Sequence, residues 1–131
     1  IYADNFTTFS LKDFLQKSLK MPEECYISML TFNCEDPSQA GIVYINQDNI
    51  LTNFIEKPKH SEVKMANAGV FMITPKFINY IKNIQKPIFD ISKDIIPFLK
   101  YKIFCVKTNE IFYDIGTTKN YNLVNSLFIE K

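Results

Sequence analysis

The chain has 131 residues, 47% of them hydrophobic and 22% charged. That length holds one buried core but not two, and the balance excludes a disordered, collagenous or coiled-coil chain. Fifteen Lys+Arg against fourteen Asp+Glu leave a formal charge of +1, which offers no electrostatic footprint for a nucleic acid.

Ile1-Tyr2-Ala3 reads as the end of a buried strand that runs into Asp4-Asn5, as though residues upstream completed it. Ser10 is an N-cap, and Leu11, Phe14, Leu15 and Leu19 recur at helical spacing, which predicts a helix over 10–19. Tyr26 to Phe32 is a strand, followed by a loop at Pro37-Ser38-Gln39. Strands at 41–45 and 50–55 flank the polar cluster Asn46-Gln47-Asp48-Asn49, the pattern of an antiparallel hairpin. After the breaker Lys57-Pro58-Lys59-His60, a buried strand at 68–73 ends at Thr74-Pro75, and Phe77, Ile78, Ile81 and Ile84 then mark a helix. A second amphipathic helix is expected from Ser92, with Ile95, Ile96 and Leu99 on one face. Strands at 101–107 and 111–113 precede a closing helix from Thr117 or Thr118, with Tyr121, Val124, Leu127 and Phe128 on one side. Strands alternating with helices give an α/β class with a mostly parallel, mixed sheet.

Cys25, Cys34 and Cys105 lack any C-x-x-C spacing, which fits reduced thiols in a cytoplasmic protein better than disulfides or a zinc site. The single histidine, His60, reads as a solvated loop residue. No apolar run approaches the ~18 residues of a membrane span, so no membrane partner is expected. The aromatic content, 15% without Trp, is compatible with a homo-oligomer.

In α/β sheets ligands bind beyond the carboxyl ends of strands, which draws attention to Asp4 and Asp114. Two carboxylates can converge on one Mg²⁺, whose other positions are filled by water and substrate phosphates. The same residues also suit ordinary loop and cap aspartates. Glu56 can accept from sugar hydroxyls and Lys57 can neutralise a phosphate, or both can be a solvated strand end. Asn67, which starts a buried strand, can read a sugar hydroxyl or cap a loop.

Taken in order, Ala3-Asp4-Asn5, Gly41-Ile42-Val43, Phe54-Ile55-Glu56-Lys57-Pro58, Asn67-Ala68-Gly69-Val70-Phe71 and Asp114-Ile115-Gly116-Thr117 with Tyr121 resemble the latter part of the sugar-1-phosphate nucleotidyltransferases. Phe89-Asp90-Ile91-Ser92-Lys93-Asp94-Ile95-Ile96-Pro97 is similar to a segment of the mannose-1-phosphate and D-glycero-D-manno-heptose-1-phosphate guanylyltransferases. The resemblance implies a Rossmann-like domain that transfers a nucleotidyl group from a nucleoside triphosphate, GTP in that branch, to a mannose- or heptose-type sugar 1-phosphate, releasing pyrophosphate. It implies Mg²⁺ on Asp4 and Asp114, sugar-hydroxyl contacts from Glu56 and Asn67, a phosphate contact from Lys57, and backbone near the sugar at Gly41. Catalysis would rest on Asp4, Lys57 and Asp114.

The family's glycine-rich, basic nucleotide loop has no counterpart among Gly41, Gly69 and Gly116. Residues 1–131 therefore read as the C-terminal, sugar- and metal-binding part of a single nucleotidyltransferase domain, inactive in isolation. The alternative is a non-catalytic binding or regulatory module of the same fold.

Overall fold

The computed structural model describes residues 1–129. Its elements run β1 (Asn5–Thr7), α1 (Leu11–Ser18), β2 (Ile27–Asn33), a 3₁₀ turn (Pro37–Gln39), β3 (Gly41–Ile45), β4 (Leu51–Glu56), β5 (Met65–Ile73) and α2 (Pro75–Lys82). A π-helical turn (Ile91–Ile95) and a 3₁₀ turn (Ile96–Phe98) follow, then β6 (Ile103–Lys107), β7 (Phe112–Asp114) and α3 (Thr118–Ile129).

A five-stranded sheet has the order β4-β3-β5-β2-β6, and β1 and β7 form a separate antiparallel pair. The class is α/β and the sheet mixed, as expected, but it is not mostly parallel. Only β2 and β6 run parallel, while the other pairings within the five are antiparallel, because β3, β4 and β5 follow one another through short connections without a crossover helix. Residues 27–31 of β2 are all buried, as befits a strand packed on both faces. On one face Ile27, Met29, Val43, Phe54, Phe77, Ile95, Ile96 and Ile103 pack together. On the other, Phe14 of α1 joins Leu30, Ala68, Val70 and Val106.

The expected hairpin is β3–β4. Asn46 builds its turn by accepting from the backbone N–H groups of Asp48 and Ile50 at 3.0 and 2.9 Å, and Asn49 takes a left-handed φ of 59°, which Asn tolerates better than most residues.

Three local expectations need correction. Residues 1–3 lie outside any strand, and Ile1 and Tyr2 are exposed. Asp4 thus sits in a turn ahead of β1 rather than after a strand. Helix α1 buries Phe14 and Ser18, while Leu11, Leu15 and Leu19 stay exposed. Its rotation is set by Phe14 in the core and by the buried Ser18–Ser28 hydroxyl bond of 2.8 Å. The segment after Ser92 buries Ile95, Ile96 and Leu99 as expected, but through a wide turn followed by a tight one. The Ile96 N–H reaches back to the Ile91 carbonyl and that of Leu99 to the Ile96 carbonyl. Pro97 lacks an N–H and crowds the preceding turn, so a regular α-helix cannot pass through it.

Candidate active site

Register places three of the singled-out residues in one row. Gly41 pairs with Glu56 across β3–β4, and Ile42 pairs with Ala66 across β3–β5, so one step along Gly41 stands level with Asn67. Paired residues share a face. Glu56 and Asn67 therefore flank a glycine, two strand spacings or about 10 Å apart at the backbone. A Cβ on Gly41 would lie 2.4 Å from Phe54 Cζ and 2.7 Å from Glu56 Oε2. The missing side chain is what lets Glu56 fold across β3.

Lys57 follows with φ 46°, a left-handed conformation that costs an L-residue about 1–2 kcal/mol and that a following proline makes less favourable still. Its N–H donates to the Ala40 carbonyl at 3.1 Å, which fixes the exit from the hairpin and leaves the lysine exposed beside Glu56.

Asn67 opens a bulge. Met29 pairs with Phe71 and Thr31 with Asn67, so Leu30 alone opposes Ala68, Gly69 and Val70. Such bulges re-aim side chains next to functional sites. Gly69 supplies the left-handed turn at φ 65°, and its N–H donates to Asn67 Oδ1 at 2.9 Å. The carbonyls that the bulge frees from the ladder are taken up by the N-terminal segment: Asn5 Nδ2 donates to Ala68 O at 2.8 Å and the Tyr2 N–H to Gly69 O at 3.0 Å.

Asp4 lies between those two anchors. Its own carbonyl accepts from the Ile115 N–H at 2.8 Å, while Asn5 pairs with Asp114 across β1–β7. The two aspartates, about 110 positions apart in sequence, are thereby brought together. A Cβ on Gly116 would stand 3.0 Å from Asp114 Oδ1 and 3.3 Å from Asp4 Oδ2, so the two carboxylates border the space beside this glycine that a side chain would crowd. Asp114 Oδ1 accepts from the Gly116 N–H at 2.8 Å, and its carbonyl accepts from Asn120 Nδ2 at 2.7 Å. Thr117 caps α3 through the Asn120 N–H. Both aspartates are exposed.

Two oxygen-donor carboxylates at an open cradle fit a hard cation such as Mg²⁺, which keeps waters and phosphate oxygens in its remaining positions. Among the described residues no cluster of three or more His, Cys, Asp or Glu forms an all-protein cage.

The 89–97 segment adds further groups to the site. Ser92 is buried and shares a 3.1 Å hydrogen bond with the Tyr2 hydroxyl. Burial pushes the Glu56 carboxyl above its ordinary range, Lys57 and Lys93 pull it down, and Asp90 adds to the rise. Although Tyr2 as a residue is exposed, its hydroxyl end reaches in to the buried Ser92. That partial desolvation raises the phenol against the Ser92 hydrogen bond, while the negative charges of Asp90, Glu56 and Asp4 add to the rise. Tyr2 thus stands between the Asp4 end of the site and the Glu56 end. No sequence signal points to Tyr2, because its hydroxyl partner is ninety residues away. Asp90 has one: it N-caps the π-turn by accepting from the Lys93 N–H at 3.0 Å. His60 is exposed. The three cysteines are buried and free, and burial pushes Cys105 up to about 12, so none is an activated nucleophile.

A family model described as nucleotidyl transferase matches residues 1–130. Among relatives, the glucose-1-phosphate adenylyltransferase of Lachnospira eligens is 28% identical over 109 residues, which is 79% of this chain and 26% of the relative. The mannose-1-phosphate guanylyltransferase catalytic subunit beta of Drosophila pseudoobscura is 29% identical over 89 residues, 66% of this chain and 23% of the relative. The chain thus spans about a quarter of the length of these relatives. The crystal structure of HddC from Yersinia pseudotuberculosis superposes with a TM-score of 0.74 at 21% identity, covering 95% of this chain and 52% of HddC. Among the described residues no helix is long and apolar enough to cross a membrane. A family match over this extent makes the chain a member of the nucleotidyl transferase family, and its named relatives are sugar-1-phosphate nucleotidyltransferases.

Proposed function

We propose that this chain is the sugar- and metal-binding part of a nucleotidyltransferase domain that joins a nucleoside monophosphate to a sugar 1-phosphate. The observation that carries the reading is the convergence of Asp4 and Asp114 around Gly116, on a segment tethered to the bulge that bears Asn67. In the proposed reaction a phosphate oxygen of the sugar 1-phosphate attacks the α-phosphorus of the triphosphate. The new P–O bond forms as the bond from the α-phosphorus to the bridging oxygen breaks, and pyrophosphate leaves with that electron pair.

Asp4 and Asp114 would hold Mg²⁺, which when bound supplies charge neutralisation on the phosphates. Lys57 would bind the sugar phosphate as a point charge and hold its attacking oxygen in place. Glu56 would accept from sugar hydroxyls and Asn67 would both donate and accept. No covalent intermediate on the protein is required, so positioning and electrostatics carry the rate.

Within this reading we take the donor to be GTP and the acceptor a mannose- or heptose-type sugar 1-phosphate. The likeness of 89–97 to that branch and the guanylyltransferase among the relatives support it, while the adenylyltransferase among the relatives makes ATP with glucose 1-phosphate the competing pair. The setting would be the cytoplasm. The test is Mg²⁺-dependent pyrophosphate release by the polypeptide carrying this chain together with a glycine-rich nucleotide loop, over a panel of triphosphates and sugar 1-phosphates. Release with GTP and mannose 1-phosphate supports the finer reading, release with another pair replaces it, and no release with any pair removes the enzyme reading.

A further inference from the structure

Asn67 is held by a closed ring of contacts that runs through two residues with no assigned part in the site. Its Oδ1 accepts from the Gly69 N–H at 2.9 Å and its Nδ2 donates to Ser92 Oγ at 3.4 Å. Ser92 Oγ in turn shares a 3.1 Å hydrogen bond with the Tyr2 hydroxyl. The Tyr2 N–H donates to Gly69 O at 3.0 Å, which returns the chain of contacts to the bulge. The Tyr2 ring lies against Gly69 so closely that a Cβ there would stand 2.5 Å from Cδ2, and it meets Phe71 edge-on at 6.2 Å.

A primary amide has two N–H donors and two carbonyl lone pairs. The ring of contacts uses one of each. One N–H and one lone pair remain, the complement of a single hydroxyl that accepts and donates at once.

We infer that Tyr2 and Ser92 are positioning residues: together they lock the Asn67 amide so that its free N–H and lone pair meet one sugar hydroxyl in one orientation, and so set which epimer is accepted. The sugar-hydroxyl partner rests on the function proposed above, whereas the lock itself rests on the contacts alone. Losing the Ser92 hydroxyl removes the Nδ2 restraint and losing the Tyr2 hydroxyl unfixes Ser92, so in either case the amide is held at Oδ1 alone. An amide held at one end discriminates less well between epimers because it can follow the hydroxyl each presents.

The experiment has two readouts on the polypeptide that carries this chain. The first is the Asn67 side-chain amide resonance pair in ligand-free protein, compared among wild type, Tyr2→Phe, Ser92→Ala, Ser92→Thr and, as a control phenol elsewhere, Tyr44→Phe. The lock predicts that Tyr2→Phe and Ser92→Ala move and broaden this pair, that Ser92→Thr restores it, and that Tyr44→Phe leaves it in place. Melting temperature, read alongside, identifies any variant that is merely unfolded. The second readout is binding of mannose 1-phosphate against its C2 epimer glucose 1-phosphate. Wild type should prefer one of them, and Tyr2→Phe and Ser92→Ala should shrink that preference roughly three- to tenfold, with the double variant no worse than either single one. An Asn67 pair unmoved in both folded variants overturns the lock. A moved pair with unchanged epimer preference overturns its part in selection. Failure of wild type to bind either sugar phosphate counts against the sugar reading, while the amide readout still decides the lock.

Discussion

At the Glu56–Gly41–Asn67 row the protein has already committed its groups: Asn67 has both amide atoms bonded, Glu56 is partly buried, and Gly41 is closed over by Phe54 and Glu56. At the Asp4–Asp114 end both carboxylates are exposed and border an open cradle at Gly116. The first end is preorganised by desolvation and hydrogen bonds, which suits a neutral, hydroxylated ligand. The second keeps its charge in water, which suits a cation that brings its own water and phosphate ligands. The β5 bulge joins them, since its two freed carbonyls hold the residues on either side of Asp4.

Substitutions break the two ends in different ways. The largest expected effect is at the open end: on the proposed function, Asp114→Asn should lower pyrophosphate release by the polypeptide that carries this chain by roughly a hundredfold or more, with its stability in a urea melt within about 0.5 kcal/mol of wild type. A comparable loss of stability there would mean that Asp114 is structural. At the closed end the order reverses. Gly41→Ala forces a methyl group into Phe54 and Glu56 and should cost about 1–3 kcal/mol of stability. An unchanged melting temperature would show that the row is loosely packed.

Gly69→Ala combines a left-handed backbone with a clash against the Tyr2 ring, and about 1–2 kcal/mol of destabilisation is expected from the backbone. The same change should loosen the Asp4 turn, visible as faster amide exchange at Asn5 and Ile115. The smallest effect is electrostatic. Burial raises the Glu56 carboxyl above 4.5, so the folded state binds its proton more tightly than the unfolded state does. The stability this contributes is full below 4.5 and is lost as pH rises through the raised folded value. Glu56→Gln, which cannot ionise, should therefore melt higher than wild type at pH 7–8, and the gap should close on acidification below that range. A gap independent of pH would remove burial as its cause.

The sequence made the local features legible and left the cross-chain ones obscure. The β3–β4 hairpin could be read because Asn46 and Asn49 encode its turn within the turn itself. Asp114 could be read because it ends an apolar strand and opens a capped helix. The strand-end rule draws Asp4 and Asp114 together although Asp4 lies in a turn ahead of β1 and follows no strand. The bulge could not be read, because three residues opposing one is a property of the pair β2–β5. Tyr2 and Ser92 were hidden for the same reason. The exposed leucines of α1 mislead a helical-wheel reading because a serine pair, invisible to hydropathy, fixes the helix's rotation.

The most direct test is to titrate Mn²⁺ into the ¹⁵N-labelled polypeptide that carries this chain and follow paramagnetic broadening residue by residue. Early broadening of Asp4, Asn5, Asp114, Ile115 and Gly116 together is expected, competed away by Mg²⁺ and lost in Asp114→Asn. Broadening that begins at other exposed acids, such as Asp36 or Asp48, and spares Asp4 and Asp114 would contradict it.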